Sequence, residues 1–322
     1  MNTLLLFSFA PENVWLQIIV LVVGIVVVLE GAEWLTGGAV AVAGRMGVPQ
    51  IVIGLTVVAM GTSMPEFCVS LVSALKGTPD LAVGNVVGSN IFNALLIVGV
   101  AAMVAPITIL RSTVRKDIPF ALGASAVLYA MCFDGTISRL DAAVLFVLFL
   151  IFMVVTVRGA KGGSGSEADD AGAKPVSTPR AIVLMACGLA CLIVGSQAFV
   201  DNASALARTL GVSDAVIGLT IVAGGTSLPE LATSVVAARQ GNSGIAIGNV
   251  LGSNVFNILM ILGITGLVSP MHISGITPVD LAMMVISMLL LWLFSFTKYT
   301  ITRWEGFVLA FIFVGYIAYL LS

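Results

Sequence analysis

Two segments of this chain each occur twice, and every second copy lies 164 residues after the first with no gap. Residues 54–67 read GLTVVAMGTSMPEF and residues 218–231 read GLTIVAGGTSLPEL, with ten of fourteen positions identical. Downstream, residues 84–99 read GNVVGSNIFNALLIVG and residues 248–263 read GNVLGSNVFNILMILG, with eleven of sixteen identical. This duplication predicts a fold of two equivalent halves.

Composition places both halves in a membrane. The chain is 59% hydrophobic and 9% charged, with a mean hydropathy of +1.14. A water-soluble domain of 322 residues cannot bury so much apolar surface, so we expect a polytopic membrane protein. Apolar stretches predict ten spans, near residues 14–34, 49–75, 82–104, 117–133, 140–157, 181–201, 213–238, 246–268, 279–297 and 304–321.

The distribution of Lys and Arg predicts how these spans are oriented. With the N-terminus outside, the inner loops contain eleven of the 14 basic residues. The outer loops then contain three, which are Lys76, Arg139 and Arg208. Because basic residues favour the cytoplasmic side, we expect both termini outside in a multi-pass protein of the cell inner (plasma) membrane.

Five spans fall in each half, and this odd number determines how the halves are related. Residues 1–157 are predicted to form the first five-helix repeat and residues 181–322 the second. Residues 158–180 are rich in Gly, Ser and Ala and predict a cytoplasmic linker loop. An odd number of crossings inserts the second copy upside down. The predicted fold is therefore an all-α polytopic membrane protein with ten transmembrane helices in two inverted-topology five-helix repeats.

Each copy of the first segment places a glutamate, Glu66 or Glu230, inside an apolar span. An ionised side chain at the centre of a membrane helix costs about 2.5–3.5 kcal/mol on insertion scales, and such residues are by default functional. A duplicated scaffold without a transport role would explain the fold but not the paired acids. We therefore predict a binding role for the two glutamates.

Oxygen atoms surround each glutamate in the predicted helix. Residues at positions i, i+3, i+4 and i+7 share one helix face. In the two copies these residues are Ala59, Thr62, Ser63 and Glu66, and Ala223, Thr226, Ser227 and Glu230. Pro65 and Pro229 lack an N–H, so each frees a backbone carbonyl about one turn upstream, at Gly61 and Gly225.

The second repeated segment adds a polar stripe with a spacing of four residues. Its members are Asn85, Ser89 and Asn93, and Asn249, Ser253 and Asn257. Carboxylate, hydroxyl, amide and carbonyl oxygens suit hard cations such as calcium and sodium, whereas zinc and copper prefer other ligands. Glu66 and Glu230 together supply a charge of −2 when ionised. One divalent or two monovalent ions neutralise that charge, and a site that can hold either set in turn fits an antiporter.

The doubled motifs GTSMPE/GTSLPE and GNVVGSNIFN/GNVLGSNVFN resemble the alpha repeats of prokaryotic sodium/calcium exchangers, within the calcium/cation antiporter superfamily. The resemblance covers both repeats and the ten-span layout. It implies broken second and seventh helices that meet the third and eighth helices. It also implies exchange of sodium for calcium by alternating access, in which the first and sixth helices slide across a rigid core.

The resemblance further implies the ion ligands. A calcium site is implied at Glu66, Glu230, Thr62 and Thr226. Sodium sites are implied at Ala59, Ser63, Ser89 and Glu66, and at Ala223, Thr226, Ser227, Ser253 and Glu230. Asn93 and Asn257 would line the centre between the acids. Potassium-dependent relatives use an acid at the position of Asn257, so we expect potassium-independent exchange. Three sodium ions for one calcium ion would make it electrogenic.

A calcium/proton antiporter is the main alternative, because a buried glutamate can hold a proton. The hydroxyls and carbonyls beside each acid suit a dehydrated sodium ion better. An intramembrane enzyme is disfavoured because His272, the single histidine, is remote from Ser63 and Ser227. A passive channel would use the same oxygens, but paired acids in inverted repeats favour a carrier. The expected partners are calcium ions, sodium ions and the lipid bilayer, with no nucleic acid, cofactor or obligate protein partner.

Overall fold

The computed structural model of the protein describes residues 11, 13–162, 177–211, 221 and 223–320. These residues are almost entirely helical, because a helix satisfies its own backbone hydrogen bonds inside a bilayer. The helices are α1 Val14–Met46, α2 Gln50–Thr62, α3 Met64–Leu75, α4 Pro79–Val104, α5 Arg111–Arg115, α6 Asp117–Met131, α7 Arg139–Gly162, α8 Thr178–Thr209, α9 Ala223–Thr226, α10 Leu228–Arg239, α11 Ser243–Val268, α12 Pro278–Ser295 and α13 Arg303–Leu320.

Eight helical segments in the described part of the chain are long and apolar enough to cross a membrane, and the bent pair α2–α3 makes a ninth. The eight are α1, α4, α7, α8, α11, α12, α13 and the segment 111–134 that contains α5 and α6. The remaining predicted span, 213–238, lies partly outside the described residues, and its described part forms α9 and α10. The protein is thus a multi-pass helical membrane protein.

Helices α1 and α8 are longer than the sequence predicts. They contain 33 and 32 residues. At about 1.5 Å per residue each is about 50 Å long, against a hydrocarbon core of about 30 Å. The predicted spans 14–34 and 181–201 are therefore too short. Glu30 and Glu33 weaken the apolar pattern near the end of the predicted span, whereas helix α1 continues to Met46 with Gly38 packed against the Ala181 backbone of α8.

Helices α1 and α8 pack against each other in antiparallel directions through closely apposed glycines. A Cβ atom added to Gly24 would lie 3.0 Å from the carbonyl oxygen of Gly195. One added to Gly31 would lie 2.8 Å from the carbonyl oxygen of Gly188. Because backbone meets backbone at both points, any larger residue would force the two helices apart.

Two short antiparallel ribbons join the two halves of the chain outside the long helices. Strand β1 (Ile107–Thr108) pairs with β4 (Thr300–Ile301), and β2 (Thr136–Ile137) pairs with β3 (Met271–His272). Ile107 lies opposite Ile301, and Ile137 lies opposite Met271. An offset of 164 residues converts the first of these pairs into the second, so the sequence repeat is also a repeat of tertiary contacts.

Both copies of the GTSxPE motif interrupt a helix at the serine. Helix α2 ends at Thr62 and α3 begins at Met64, and the two helices differ in direction by 47°. In the second copy α9 ends at Thr226 and α10 begins at Leu228. The cause is the proline at the start of the following helix, which cannot donate a backbone hydrogen bond to the preceding turn. The predicted interruption is confirmed in both copies.

Helices α4 and α11 form the centre of the protein. Nearly all of α11 and most of α4 are buried, whereas α1, α7 and α13 expose most of their surface as apolar side chains. Each central helix contains a stretch of π-helix, Phe92–Ile97 in α4 and Phe256–Ile261 in α11. Such stretches are frequent at functional sites. Asn93 and Asn257 are the second residues of these stretches.

Candidate ion-binding site

Glu66 and Glu230 each lie in the first turn of the helix that follows a break. Their side chains are 1% and 0% exposed. The first turn of a helix favours a carboxylate, because its free N–H groups and the helix dipole place partial positive charge there. The two breaks thus create, deep in the protein, the local setting that a buried carboxylate needs.

Each glutamate is held by the serine of the opposite break. The hydroxyl of Ser63 donates to Oε1 of Glu230 at 3.0 Å. The hydroxyl of Ser227 donates to Oε1 of Glu66 at 2.8 Å. These reciprocal hydrogen bonds bring the two copies of the GTSxPE motif together, so the glutamates belong to one site.

Further hydroxyls that the sequence predicts gather around the same carboxylates. Ser253 donates to Oε1 of Glu230 at 3.4 Å, and Oγ of Ser89 lies 3.2 Å from Oγ of Ser227. The hydroxyl of Thr62 lies one helical turn from Glu66. It donates to Oδ1 of Asn249 at 3.1 Å and to the carbonyl oxygen of Ala59 at 3.3 Å.

Ala59, Ala223 and Thr226 also lie at the two breaks. Ala59 is fully buried, and its carbonyl oxygen accepts from the backbone N–H of Ser63 at 3.0 Å. Ala223 and Thr226 are the first and last residues of α9. These three residues therefore lie in the helices that end at the two breaks, just before the glutamates in the chain, and their role in binding sodium stays a prediction.

Asn85 and Asn249 hold the backbone of the glutamates. Nδ2 of Asn85 donates to the carbonyl oxygen of Glu66 at 3.1 Å, and Nδ2 of Asn249 donates to that of Glu230 at 3.3 Å. Each amide nitrogen also donates to a serine hydroxyl at 3.0 Å, on Ser70 and Ser234 respectively. The polar stripe thus fixes the position of α3 and α10 against the central helices.

Four buried oxygens at the centre accept no hydrogen bond from the described protein. They are Oε2 of Glu66, Oε2 of Glu230, Oδ1 of Asn93 and Oδ1 of Asn257. A buried acceptor without a donor costs about 1–3 kcal/mol, and more when it is charged. Carboxylate and amide oxygens are ligand types that suit a hard cation. Within the described residues no group of three or more His, Cys, Asp or Glu side chains could hold a metal ion.

Sequence reasoning missed two asparagines of the site, Asn90 and Asn254. Both are at most 1% exposed, and they contact Asn257 and Asn93 respectively. The signal for them was present in the sequence. Each is identical in the two copies and precedes the predicted asparagine by three residues, which is close to one helical turn.

Comparison with known proteins assigns the family. The family profile described as sodium/calcium exchanger protein matches residues 16–158 and 180–322. The chain belongs to this family. A sodium/calcium exchanger is a membrane transporter and not an enzyme, so the family also confirms the predicted class of function.

Several members of this family are similar in sequence to this chain over most of its length. Sodium/calcium exchanger MaX1 of Methanosarcina acetivorans is 33% identical, over 94% of this chain and 97% of its own length. Inner membrane protein YrbG of Escherichia coli is 38% identical, over 79% of this chain and 80% of its own. A solved structure of the sodium-calcium exchanger NCX_Mj, soaked with Na+ and Ca2+, has a TM-score of 0.83 and 33% identity, and covers 94% of this chain and 98% of its own.

Proposed function

We propose that this protein is a secondary active antiporter that exchanges sodium for calcium by alternating access. The observation that carries the proposal is the reciprocal pair of hydrogen bonds that joins Ser63 to Glu230 and Ser227 to Glu66. It unites two carboxylates from two halves of the chain in one buried site with a charge of −2 when both are ionised. One calcium ion or two sodium ions would neutralise this charge.

The four unpartnered oxygens supply the centre of the proposed calcium site. Oε2 of Glu66 and Oε2 of Glu230 would bind the ion directly, with the Asn93 and Asn257 oxygens lining the centre. Calcium accepts six to eight oxygen ligands in flexible arrangements, so oxygens of Thr62 and Thr226 complete the proposed set. The proposed sodium ligands are Ala59, Ser63, Ser89 and Glu66, with Ala223, Thr226, Ser227, Ser253 and Glu230 as their counterparts.

The β-ribbons support ten spans in two inverted repeats. Paired strands lie at the same end of the membrane, so an even number of crossings must separate them. Between β2 and β3 the chain passes through the spans α7, α8 and α11 and through the segment that contains α9 and α10. An even total requires that segment to cross once. Residues 1–157 and 181–322 then have five spans each and opposite orientations. The predicted linker 158–180 is too long at both ends, because α7 continues to Gly162 and α8 begins at Thr178.

The distribution of basic residues supports an orientation with both termini outside. The contact between α1 and α8 fits this orientation. The guanidinium of Arg45, near the end of α1, donates to the hydroxyl of Thr178 at the start of α8 at 3.0 Å. These two helix ends therefore share one side of the membrane. In the proposed topology both face the cytoplasm, as does the linker, and the inner membrane protein YrbG is consistent with this location.

We further propose that exchange is electrogenic and independent of potassium. Asn93 and Asn257 are amides, so the centre holds two carboxylates and not three. A site with this charge that exchanges three sodium ions for one calcium ion moves one net charge in each cycle. A calcium/proton antiporter remains the second candidate, because Oε2 of each buried glutamate could carry a proton.

Flux measurements in proteoliposomes test the proposal. Vesicles loaded with sodium and diluted into choline medium should accumulate radioactive calcium, also when a protonophore collapses any proton gradient. Vesicles loaded with choline are the matched control and should not accumulate it. Calcium uptake that requires a proton gradient and ignores sodium would support the calcium/proton alternative instead.

A further inference from the structure

Two buried asparagines, Asn90 on α4 and Asn254 on α11, cross-link the backbones of the central helices. Nδ2 of Asn90 donates to the carbonyl oxygen of Asn254 at 3.2 Å. Nδ2 of Asn254 donates to the carbonyl oxygen of Asn90 at 3.4 Å and contacts the sulfur of Met288 at 3.1 Å. A backbone carbonyl oxygen can only accept. The nitrogen end of each amide must therefore face the opposite helix, and this fixes where its oxygen points.

The fixed oxygens determine the orientation of the two site asparagines. Oδ1 of Asn254 accepts from Nδ2 of Asn93 at 3.0 Å, and Oδ1 of Asn90 accepts from Nδ2 of Asn257 at 3.1 Å. With its nitrogen bound in this way, each site amide turns its oxygen the other way. These are the oxygens, on Asn93 and Asn257, that have no hydrogen-bond partner.

We propose that Asn90 and Asn254 are positioning residues that fix the amide polarity of Asn257 and Asn93, so that two oxygens and no NH2 groups face the transported cation. The proposal rests on the proposed cation exchange. It assigns Asn90 and Asn254 to selectivity for cations, although they do not themselves touch the ion.

The orientation of these two side-chain amides matters because the oxygen and NH2 ends of an amide are similar in size but carry opposite partial charges. If an asparagine at the centre rotates by half a turn, its NH2 group replaces its oxygen, and attraction for a cation becomes repulsion. The repulsion is larger for a divalent than for a monovalent ion. A carboxylate in the same position needs no such control, because both of its ends are oxygen.

Substitutions of Asn254 separate this role from a purely structural one. Asn254→Leu has similar size but no acceptor for Nδ2 of Asn93. Asn254→Asp keeps the acceptor, loses the donation to the Asn90 backbone together with the contact to the Met288 sulfur, and adds a carboxylate. We expect Leu to raise the calcium Kd about tenfold and Asp to raise it less than about threefold. The measurement is isothermal titration of purified full-length protein with calcium chloride in sodium-free buffer, with the melting temperature followed in parallel.

The same Asn254→Leu change made in an Asn93→Asp variant separates the proposed role from an effect on folding. In Asn93→Asp, residue 93 presents an oxygen in either orientation, so the further change Asn254→Leu should weaken calcium binding by less than about twofold. Equivalent substitutions of Asn90 and Asn257 allow the same double-mutant comparison in the other half of the chain. Calcium should lose more affinity than sodium in the single Leu variant.

The outcomes are distinguishable. Equal calcium binding by wild type and Asn254→Leu would overturn the proposal and leave the exchange function intact. Equal weakening by the Leu and Asp variants would show that the backbone cross-link matters and the acceptor does not, and would also overturn it. Absence of calcium binding by the wild-type chain would overturn the exchange function and this proposal together.

Discussion

The hydroxyl of Ser63 donates to the carboxylate of Glu230 at 3.0 Å, although the two residues are 167 positions apart in the chain. The equivalent bond joins Ser227 to Glu66 at 2.8 Å. Each carboxylate is therefore held by the other half of the protein. A change in how the halves meet would alter the geometry of both carboxylates at once, and would in this way link the proposed movement of the halves to the proposed ion binding.

Removal of one of these hydroxyls should weaken calcium binding. A hydrogen bond to a charged group contributes about 1.5–3 kcal/mol, so Ser63→Ala and Ser227→Ala should each raise the calcium Kd about 10- to 100-fold. Because the two bonds are equivalent, the two variants should differ little from each other. Calcium titration of the purified proteins measures the effect.

Ser287→Ala is the matched control for the serine variants. Ser287 is also fully buried in a membrane helix, but its hydroxyl donates to the carbonyl oxygen of Met284 in its own helix at 2.7 Å. This variant should bind calcium like the wild type. A loss of affinity equal to that of Ser63→Ala would show that any buried serine change disturbs the protein, and the specific role of the reciprocal bonds would be refuted.

Neutralisation of either glutamate should abolish calcium transport. Glu66→Gln or Glu230→Gln lowers the charge of the site from −2 to −1, which no longer balances a calcium ion. Glu30→Gln is the control, because Glu30 is an exposed glutamate on α1. Sodium-driven calcium uptake in proteoliposomes measures all three variants. Wild-type uptake by either site variant would contradict the model of a paired-acid site.

The doubled motifs predicted which hydroxyl side chains lie around the two glutamates. Each break with a carboxylate in the next turn is a local consequence of proline, and the duplication led us to expect that the two breaks meet, as Ser63, Glu66 and their counterparts do. The predicted interruptions are confirmed for the same reason. Asn85 differs: we expected a binding role from its place in the polar stripe, yet its amide nitrogen holds the Glu66 backbone.

Two features that depend on contacts between the helices were not predicted from the sequence. The roles of Asn90 and Asn254 follow from the closeness of two central helices, which no pattern within one helix reveals. The lengths of α1 and α8 were underestimated because hydropathy ignores packing. Helix α1 continues to Met46, where small residues meet a second helix instead of lipid.

The close packing of α1 against α8 at their glycines should not accommodate even one added methyl group without a loss of stability. A Cβ atom at residue 188 would lie 2.6 Å from the carbonyl oxygen of Gly31, so Gly188→Ala should lower stability by about 1–3 kcal/mol. Gly37→Ala is the control, because a Cβ atom there has nothing within 4 Å. Thermal unfolding in detergent compares the two. Equal melting temperatures of the Gly188→Ala and Gly37→Ala variants would mean that α1 and α8 can move apart without a loss of stability.

Chemical labelling should confirm the orientation of the loops. In a variant whose four cysteines are changed to serine, a cysteine in place of the exposed Lys76 should react with a membrane-impermeant maleimide on intact cells. A cysteine in place of the exposed Arg111 should react only after permeabilisation. The opposite pattern would invert the proposed topology, whereas labelling of both residues on intact cells would refute an odd number of spans between them.

Membrane voltage should drive calcium exchange. Three sodium ions leaving for each calcium ion that enters carry one net positive charge out of a vesicle. An inside-positive potential therefore favours calcium uptake. Each 100 mV contributes about 2.3 kcal/mol per charge. This changes the ratio of internal to external calcium that exchange can reach at equilibrium by about 50-fold. A potential can be imposed with valinomycin and a potassium gradient, and a lithium-selective ionophore with a lithium gradient provides the potassium-free control. Uptake that ignores the potential would instead indicate two sodium ions per calcium ion.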